Sequence, residues 1–162
     1  MSVNKYQPHV LVLPEDDANR QLATGFHLQV VSARQRQMQV LPVAGGWNEV
    51  LNLFESEHAM EMDRCPHRFM VLLIDSDGIE DRLENARVRI PMHLTDRVFI
   101  LGALSDPEDL RQSTSSSYET IGKAMAEDCR EGTDTIWAHD LLRHNALEID
   151  RLRQHVRPIL FA

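Results

Sequence analysis

The stretch from Phe69 to Gly78 reads FMVLLIDSDG and is the strongest indication of fold class in this 162-residue chain. Its first six residues are continuously apolar, which is typical of a strand that is buried on both faces of a parallel sheet. Two aspartates and a glycine follow the apolar run directly. The pattern predicts a central strand whose carboxyl end carries a group of carboxylates.

Three further apolar runs have the same continuous character. They are Val10 to Leu13, Met38 to Val43 and Val98 to Leu101. Amphipathic stretches lie between the four runs, at 17–32, 47–57 and 79–90, with apolar residues at helical spacing. Strands that alternate with helices predict βαβ units. The predicted fold class is therefore α/β, with a four-stranded, mainly parallel sheet and helices on both faces.

The last third of the chain is predicted to be helical. Residues 105–108 read SDPE, which indicates a helix start with Ser105 as N-cap and Pro107 near the first turn. The spacing of Ser116 and Glu119 predicts a second helix, and a third is expected from Asp140 to Val156. The predicted organisation is an α/β core at 1–104 and a helical extension at 105–162 that packs on it as one domain.

The composition excludes several classes of partner and location. The formal net charge is −8, from 25 Asp and Glu against 17 Lys and Arg, which disfavours a basic nucleic-acid coat and binding to an anionic membrane. No segment approaches the ~20 apolar residues that span a bilayer, and residues 1–8 do not resemble a signal peptide. Cys65 and Cys129 form no CxxC pair, which fits a reducing compartment. We expect a cytoplasmic protein.

The acidic residues are concentrated at the predicted strand ends. Eight of them lie there, as many as the whole negative excess: Glu15, Asp16, Asp17, Asp75, Asp77, Asp106, Glu108 and Asp109. The carboxyl ends of parallel strands share one edge of the sheet, where ligands bind in such folds. Carboxylates that are brought together repel one another unless they are solvated, protonated or neutralised by a cation. Oxygen ligands favour Mg²⁺ or Mn²⁺.

Asp75 and Asp77 are the strongest metal-ligand candidates in the sequence. They are two residues apart, so their side chains can point the same way at a strand end and share one ion, and Gly78 permits a sharp turn after them. The alternative for such acids is helix capping, which applies to Asp16 and Asp17 at the start of the first predicted helix.

Two weaker features of the sequence are candidates for binding phosphate groups. Gly45 and Gly46 precede a predicted helix, so their backbone N–H groups are candidates for binding a phosphate, although any tight turn uses glycine. The last helix carries Arg143, Arg151 and Arg153, which could contact nucleic-acid phosphates. The alternative is a solvated helix face in which the arginines pair with Glu148 and Asp150.

The combination of these motifs resembles a Toprim domain, a Rossmann-like metal-binding module of topoisomerases, bacterial primases and OLD-family nucleases. The resemblance covers about residues 9–105. It implies that Glu15 is the family's acid, used in general acid/base catalysis or as a metal ligand, and that Asp75 and Asp77 are its DxD metal ligands. OLD-like nucleases also carry an SxxE element, so the resemblance implies that Glu108 is a second-metal ligand.

The start of the chain also resembles a response-regulator receiver, because acids follow the first strand and Asp75 follows the third. Such domains need a hydroxyl side chain after the fourth strand, where this sequence has Gly102. The leading hypothesis is a Mg²⁺- or Mn²⁺-dependent enzyme that acts on phosphodiesters of nucleic acid. The alternative is a non-catalytic metal-binding or regulatory module on the same fold, including a degenerate receiver. Candidate partners are nucleic acid and protein, the latter including a second copy in a homodimer.

Overall fold

The computed structural model describes residues 2–79 and 81–162. It contains four strands, β1 (His9–Pro14), β2 (Met38–Val40), β3 (Arg68–Leu73) and β4 (Val98–Leu101). Its α-helices are α1 (Asp17–Leu28), α2 (Trp47–Leu53), α3 (Ala59–Arg64), α4 (Asp81–Val88), α5 (Pro107–Thr114), α6 (Tyr118–Glu131), α7 (Ala146–His155) and α8 (Arg157–Leu160). Three 3₁₀ turns cover Ser32–Gln37, Met92–Arg97 and Arg143–Asn145, and a π turn at Phe54–His58 joins α2 to α3.

The four strands form one all-parallel sheet in the order β2-β1-β3-β4, which confirms the predicted fold class. This is the order of doubly wound, flavodoxin-like sheets without their fifth strand. The chain winds outward in opposite directions from β1 and β3. The crevice at the carboxyl ends of these two strands is therefore the topological switch point, where ligands bind in such folds.

Both faces of the sheet are covered, because alternate residues of each strand enter two separate cores. On one face, Val10 and Val12 pack with residues of α1, α6, α7 and α8. On the other face, Leu11 and Leu13 pack with residues of α2, α3 and α4. All six residues of β1 are buried. The continuous apolar runs in the sequence reflect this double burial.

Helix α6 lies against α1 at very short range, and two glycines make this approach possible. A Cβ added to Gly25 would lie 2.1 Å from the carbonyl oxygen of Glu119, and one added to Gly122 would lie 2.0 Å from that of Leu22. The helical extension is thus packed directly on the first helix of the α/β core.

Helix α7 covers the open edge of β4, where a fifth strand would pair. Glu148 Oε2 accepts the N–H of Ile100 at 2.8 Å, and Asn145 both accepts the N–H of Gly102 at 3.3 Å and donates to its carbonyl at 2.9 Å. Arg151 donates to the carbonyl of Val98 at 3.5 Å. Side chains spaced by three residues, from the N-cap of α7 into the helix, thus meet backbone groups spaced by two residues along β4 and just after it. They supply the hydrogen bonds that a neighbouring strand would otherwise make.

Several predicted boundaries are wrong for local reasons. Strand β2 ends at Val40, before Pro42, which has no N–H for the sheet. The N-cap of α5 is Asp106 and not Ser105, since Asp106 Oδ1 accepts the N–H of Glu108 at 2.9 Å. Ser117, one residue after the predicted Ser116, caps α6.

Two predicted helices also differ in extent. The helix predicted at 47–57 continues through the π turn to Arg64. The last helix begins at Ala146 and not at Asp140, because the N–H of Leu141 is taken by the ring of His139 at 3.1 Å. Part of the predicted helix 79–90 falls on Glu80, which lies outside the described residues.

Candidate functional site

The ends of β1 and β3 bring Glu15 and Asp75 into direct contact. The N–H of Glu15 continues the sheet by donating to the carbonyl of Leu73 at 3.0 Å. The Glu15 side chain then turns across the switch point, and its Oε2 accepts the backbone N–H of Asp75 at 2.9 Å. Two of the acids that the sequence places at strand ends are therefore neighbours at the predicted edge.

Asp75 is buried, with 2% of its surface exposed, and both of its carboxylate oxygens are engaged. Oδ1 accepts the N–H of Ala103 after β4 at 2.8 Å, and Oδ2 accepts from the amide of Asn19 on α1 at 2.8 Å. The carboxylate thus ties β4 and α1 to the end of β3. Asp75 positions the other groups at this edge.

Asp77 presents its carboxylate from a strained backbone. Its φ is +50°, a left-handed conformation that is uncommon for a residue with a side chain, and Gly78 follows at φ +72°. About half of the Asp77 side chain is exposed. Its Oδ2 accepts from Arg82 Nη1 at 2.6 Å, so the exposed acid of the DxD pair faces an arginine of α4.

Arg82 is nine-tenths buried among these acids. Besides Asp77, its Nη1 contacts the carbonyl of Asp75 at 3.1 Å. Its guanidinium lies 4.9 Å from the ring centre of Trp47, the first residue of α2, in the geometry of a cation–π contact. Arg82 therefore supplies positive charge to the acidic switch point from within the fold.

Two carboxyl groups at the switch point, those of Glu15 and Asp75, resist ionisation. Burial raises the pKa of Glu15, and the charges of Asp16 and Asp77 raise it further, against the opposing effect of Arg82. Burial raises the pKa of Asp75 to about 7, although the hydrogen bonds from Ala103 and Asn19 oppose the shift. The surroundings of these two groups thus disfavour their charged forms.

Asp75 is expected to make the stability of the metal-free protein fall as the pH rises. Its pKa is about 7 when folded and 3.8 for an unperturbed aspartate, so the folded chain holds the extra proton between those values. Stability is then lost as the pH rises through this window, by on the order of 4 kcal/mol. We expect the unfolding free energy of the wild type to fall by this amount relative to Asp75→Asn between about pH 4 and pH 8. Urea unfolding in EDTA checks this, and parallel pH profiles would refute it.

In the turn after β2, the backbone N–H groups that the sequence suggests for phosphate binding are already hydrogen-bonded. The N–H groups of Gly45 and Gly46 both donate to the carbonyl of Glu15, at 3.0 and 3.2 Å. Their φ values of +98° and +150° explain the glycines, since side chains rarely adopt this backbone. The two glycines therefore support the loop that holds Glu15, and their N–H groups are already paired.

The remaining acids near strand ends have structural partners. Asp16 is the N-cap of α1, where its Oδ1 accepts the N–H of Asn19 at 2.9 Å, which confirms the capping alternative. Asp17 pairs with Arg20 on the exposed face of α1. Glu108 binds Arg111 and accepts from the Tyr118 hydroxyl at 2.9 Å. The partners of Glu108 thus all belong to α5 and α6.

Two of the three arginines suggested for nucleic acid are engaged within the fold. Arg151 pairs with Glu148 and lies 4.8 Å from the ring centre of Phe99. Arg153 is mostly buried and pairs with Asp134 at 2.9 Å. Arg143 is exposed on the surface and lies 3.3 Å from Asp140. Structural roles account for Arg151 and Arg153.

A serine–histidine pair near the last turn of α5 does not have the proton arrangement of a nucleophile and its base. Ser113 Oγ lies 2.9 Å from His139 Nε2. However, His139 Nδ1 accepts the backbone N–H of Leu141, so in the neutral ring the proton lies on Nε2. A base that activates Ser113 would need Nε2 free.

The switch point has fewer free carboxylate oxygens than a metal site built on Glu15, Asp75 and Asp77 together would have. In residues 2–79 and 81–162, no three His, Cys, Asp or Glu side chains are grouped so that they could hold a metal ion. Both oxygens of Asp75 are used, but Glu15 Oε1 and Asp77 Oδ1 accept no hydrogen bond from those residues. Mg²⁺ commonly takes one or two carboxylates and completes its shell with water.

Sequence inspection misses three residues that build this site, namely Asn19, Trp47 and Arg82. Asn19 lies one turn into the helix that follows the acids of β1, and it bridges Asp16 and Asp75. Trp47 directly follows the paired glycines. Arg82 lies five residues after Asp77, and the two are in contact although Asp77 and Gly78 both have left-handed backbone conformations that the sequence does not reveal.

Comparisons with protein-family models, with curated proteins and with solved structures each give no match. In the described part of the chain, no helix is long and apolar enough to cross a membrane.

Proposed function

We propose that this chain binds one divalent cation, Mg²⁺ or Mn²⁺, at the switch point and acts on phosphodiesters of nucleic acid. One observation carries the proposal: Glu15 and Asp77 follow adjacent central strands, and each keeps one carboxylate oxygen without a hydrogen bond from the described residues. The Toprim-like order of acid, glycine turn and DxD in the sequence supports the same chemistry.

The residues of the switch point have distinct roles in this proposal. Asp77 and Glu15 would hold the cation, which supplies Lewis-acid polarisation of a phosphoryl oxygen. Burial also raises the pKa of Glu15 above the ordinary glutamate value, which makes its carboxyl group a candidate for proton transfer. Asp75 is a positioning residue, since its N–H fixes Glu15 and its carboxylate fixes Asn19 and the end of β4.

The direct test is nucleic-acid cleavage by the purified protein with Mg²⁺ or Mn²⁺, on single- and double-stranded DNA and RNA. We expect cleavage that requires the cation and that falls by about 100-fold or more in Glu15→Gln and Asp77→Asn. Glu84→Gln is the matched control, because it removes an exposed carboxylate of α4 that pairs with Arg87. Cleavage that survives both site substitutions would show that another site, or a contaminant, is responsible.

The second candidate is a non-catalytic regulatory or metal-binding module. It is favoured by the hydrogen bonds that occupy both carboxylate oxygens of Asp75 within the fold. A receiver-like phosphorylation of Asp75 has little support, because its oxygens are buried and bonded. A Cβ at Gly102 would also lie 1.9 Å from the carbonyl of Ile74, so no hydroxyl side chain fits after β4. A protein that Mg²⁺ stabilises but that cleaves no nucleic acid would support the module.

A further inference from the structure

We propose that Arg82 is the phosphate-binding residue of the switch point, and that in the ligand-free chain it is also the counter-cation of Asp77. This inference rests on the proposed function, because it assigns the residue that would recognise the phosphate beside the cation. It begins from the burial of a guanidinium whose donors are only partly used.

Arg82 uses a minority of its five N–H donors toward the residues that the structure describes. Nη1 donates to Asp77 Oδ2 and to the carbonyl of Asp75. Nε is fully buried and has no hydrogen-bond partner among the described residues. Nη2 makes no hydrogen bond to those residues either. Buried polar donors are rarely left unpaired, so the unpaired Nε points to an acceptor that the described residues do not supply.

The position of Arg82 selects an anion as that acceptor. A guanidinium presents a planar fork that matches phosphate oxygens, and it stays charged when buried. The contact with Trp47 and the bond to Asp75 hold the group in place at the crevice. A phosphate that bridges Arg82 and a cation on Asp77 would then meet positive charge on two sides.

Arg82 and a divalent cation are expected to oppose each other at Asp77. Both are positive, and both are attracted to the same carboxylate, so each weakens the binding of the other in the absence of an anion. A phosphate ligand between them reverses this effect because it neutralises both. Removal of the arginine charge should therefore shift affinity for cation and for phosphate in opposite directions, which loss of a merely structural residue would not do.

The experiment compares the wild type with Arg82→Gln in two titrations. MgCl₂ is titrated into metal-free protein and followed by calorimetry, and a fluorescent ten-nucleotide single-stranded DNA is titrated at saturating Mg²⁺ and followed by anisotropy. We expect Arg82→Gln to bind Mg²⁺ about tenfold more tightly and the oligonucleotide about tenfold more weakly. Arg87→Gln is the control, since it removes an arginine of the same helix that pairs with Glu84.

Two more variants distinguish the loss of the arginine charge from a folding defect. Arg82→Met keeps an unbranched apolar side chain beside Trp47 without the charge, and it should show the same opposite shifts. Arg82→Lys keeps the charge without the planar fork, so it should bind Mg²⁺ like the wild type and the oligonucleotide more weakly.

The outcomes separate this inference from the proposed function. Mg²⁺ binding that is unchanged or weaker in both charge-free variants overturns the role of Arg82 and leaves the cation site standing. Mg²⁺ binding in Arg82→Gln alone supports the counter-cation and overturns the function proposed for the wild type. Absence of Mg²⁺ binding in every variant overturns both.

Discussion

Gly25→Ala and Gly122→Ala are each expected to lower the free energy of unfolding by about 3 kcal/mol or more. In an open helix the same substitution would stabilise the protein by up to about 1 kcal/mol, because alanine is the better helix former. The expected sign is therefore opposite to that of helix propensity. Urea unfolding followed by circular dichroism measures the difference.

The physical reason is a collision between the added methyl group and a backbone carbonyl, which no side-chain rotation can relieve. The added methyl of residue 25 would meet the carbonyl of Glu119 at 2.1 Å, and that of residue 122 would meet the carbonyl of Leu22 at 2.0 Å. Helices α1 and α6 would have to separate, which opens the core around Ile121.

The double variant supplies an internal check on this explanation. Once one methyl has separated the helices, the second needs less additional movement, so Gly25→Ala with Gly122→Ala should cost less than the sum of the single losses. Glu127→Ala, at an exposed position of α6, should change stability by less than about 0.5 kcal/mol. An unchanged or raised stability in either glycine variant would contradict the close crossing of α1 and α6.

Glu148→Ala is expected to destabilise the protein by about 3 kcal/mol, with a comparable loss for Asn145→Ala. Without Glu148, the buried N–H of Ile100 loses its acceptor and Arg151 loses its carboxylate partner. Without Asn145, both the N–H and the carbonyl of Gly102 are left unpaired. Thermal and urea unfolding measure these losses.

The conservative variants distinguish hydrogen bonding from simple loss of packing. Glu148→Gln keeps an acceptor for Ile100 and should cost about 1 kcal/mol. Asp150→Ala changes an exposed residue of the same helix and should be close to neutral. We also expect Glu148→Ala to associate at high concentration, because the uncovered edge of β4 can pair with another chain. Equal losses in the Ala and Gln variants of Glu148 would argue against the hydrogen-bonded edge.

The α/β core can be predicted from the sequence because its strands have a strong local signal. Phe69 to Ile74 is continuously apolar, and the acids that follow such runs must share one edge of a parallel sheet. That Glu15 and Asp75 share one edge follows from this rule, and the adjacency of β1 and β3 makes them neighbours. Their detailed contacts cannot be predicted in this way. Glu15 accepts the backbone N–H of Asp75, and the Asp75 carboxylate accepts a hydrogen bond from Asn19.

The sequence predicts the extension as helices but not as the cover of a sheet edge. Arg151 and Glu148 read as an exposed salt-bridged face, because their spacing also fits a solvated helix. Only the position of β4 shows that they meet strand backbone groups. In the same way, a close helix crossing at Gly122 depends on a carbonyl more than 90 residues away in sequence, which no local pattern encodes.

Thermal unfolding in the presence of Mg²⁺ tests the central claim, that Glu15 and Asp77 hold a divalent cation. At 100 times its dissociation constant, Mg²⁺ should stabilise the wild type by about 2.7 kcal/mol, which raises Tm by about 5–10 °C. Asp77→Asn should show no such rise, while Glu84→Gln should keep it. The Mg²⁺ concentration is raised about a thousandfold, up to 10 mM. A wild-type Tm that does not respond over this range would contradict the assignment, and so would an equal rise in Asp77→Asn.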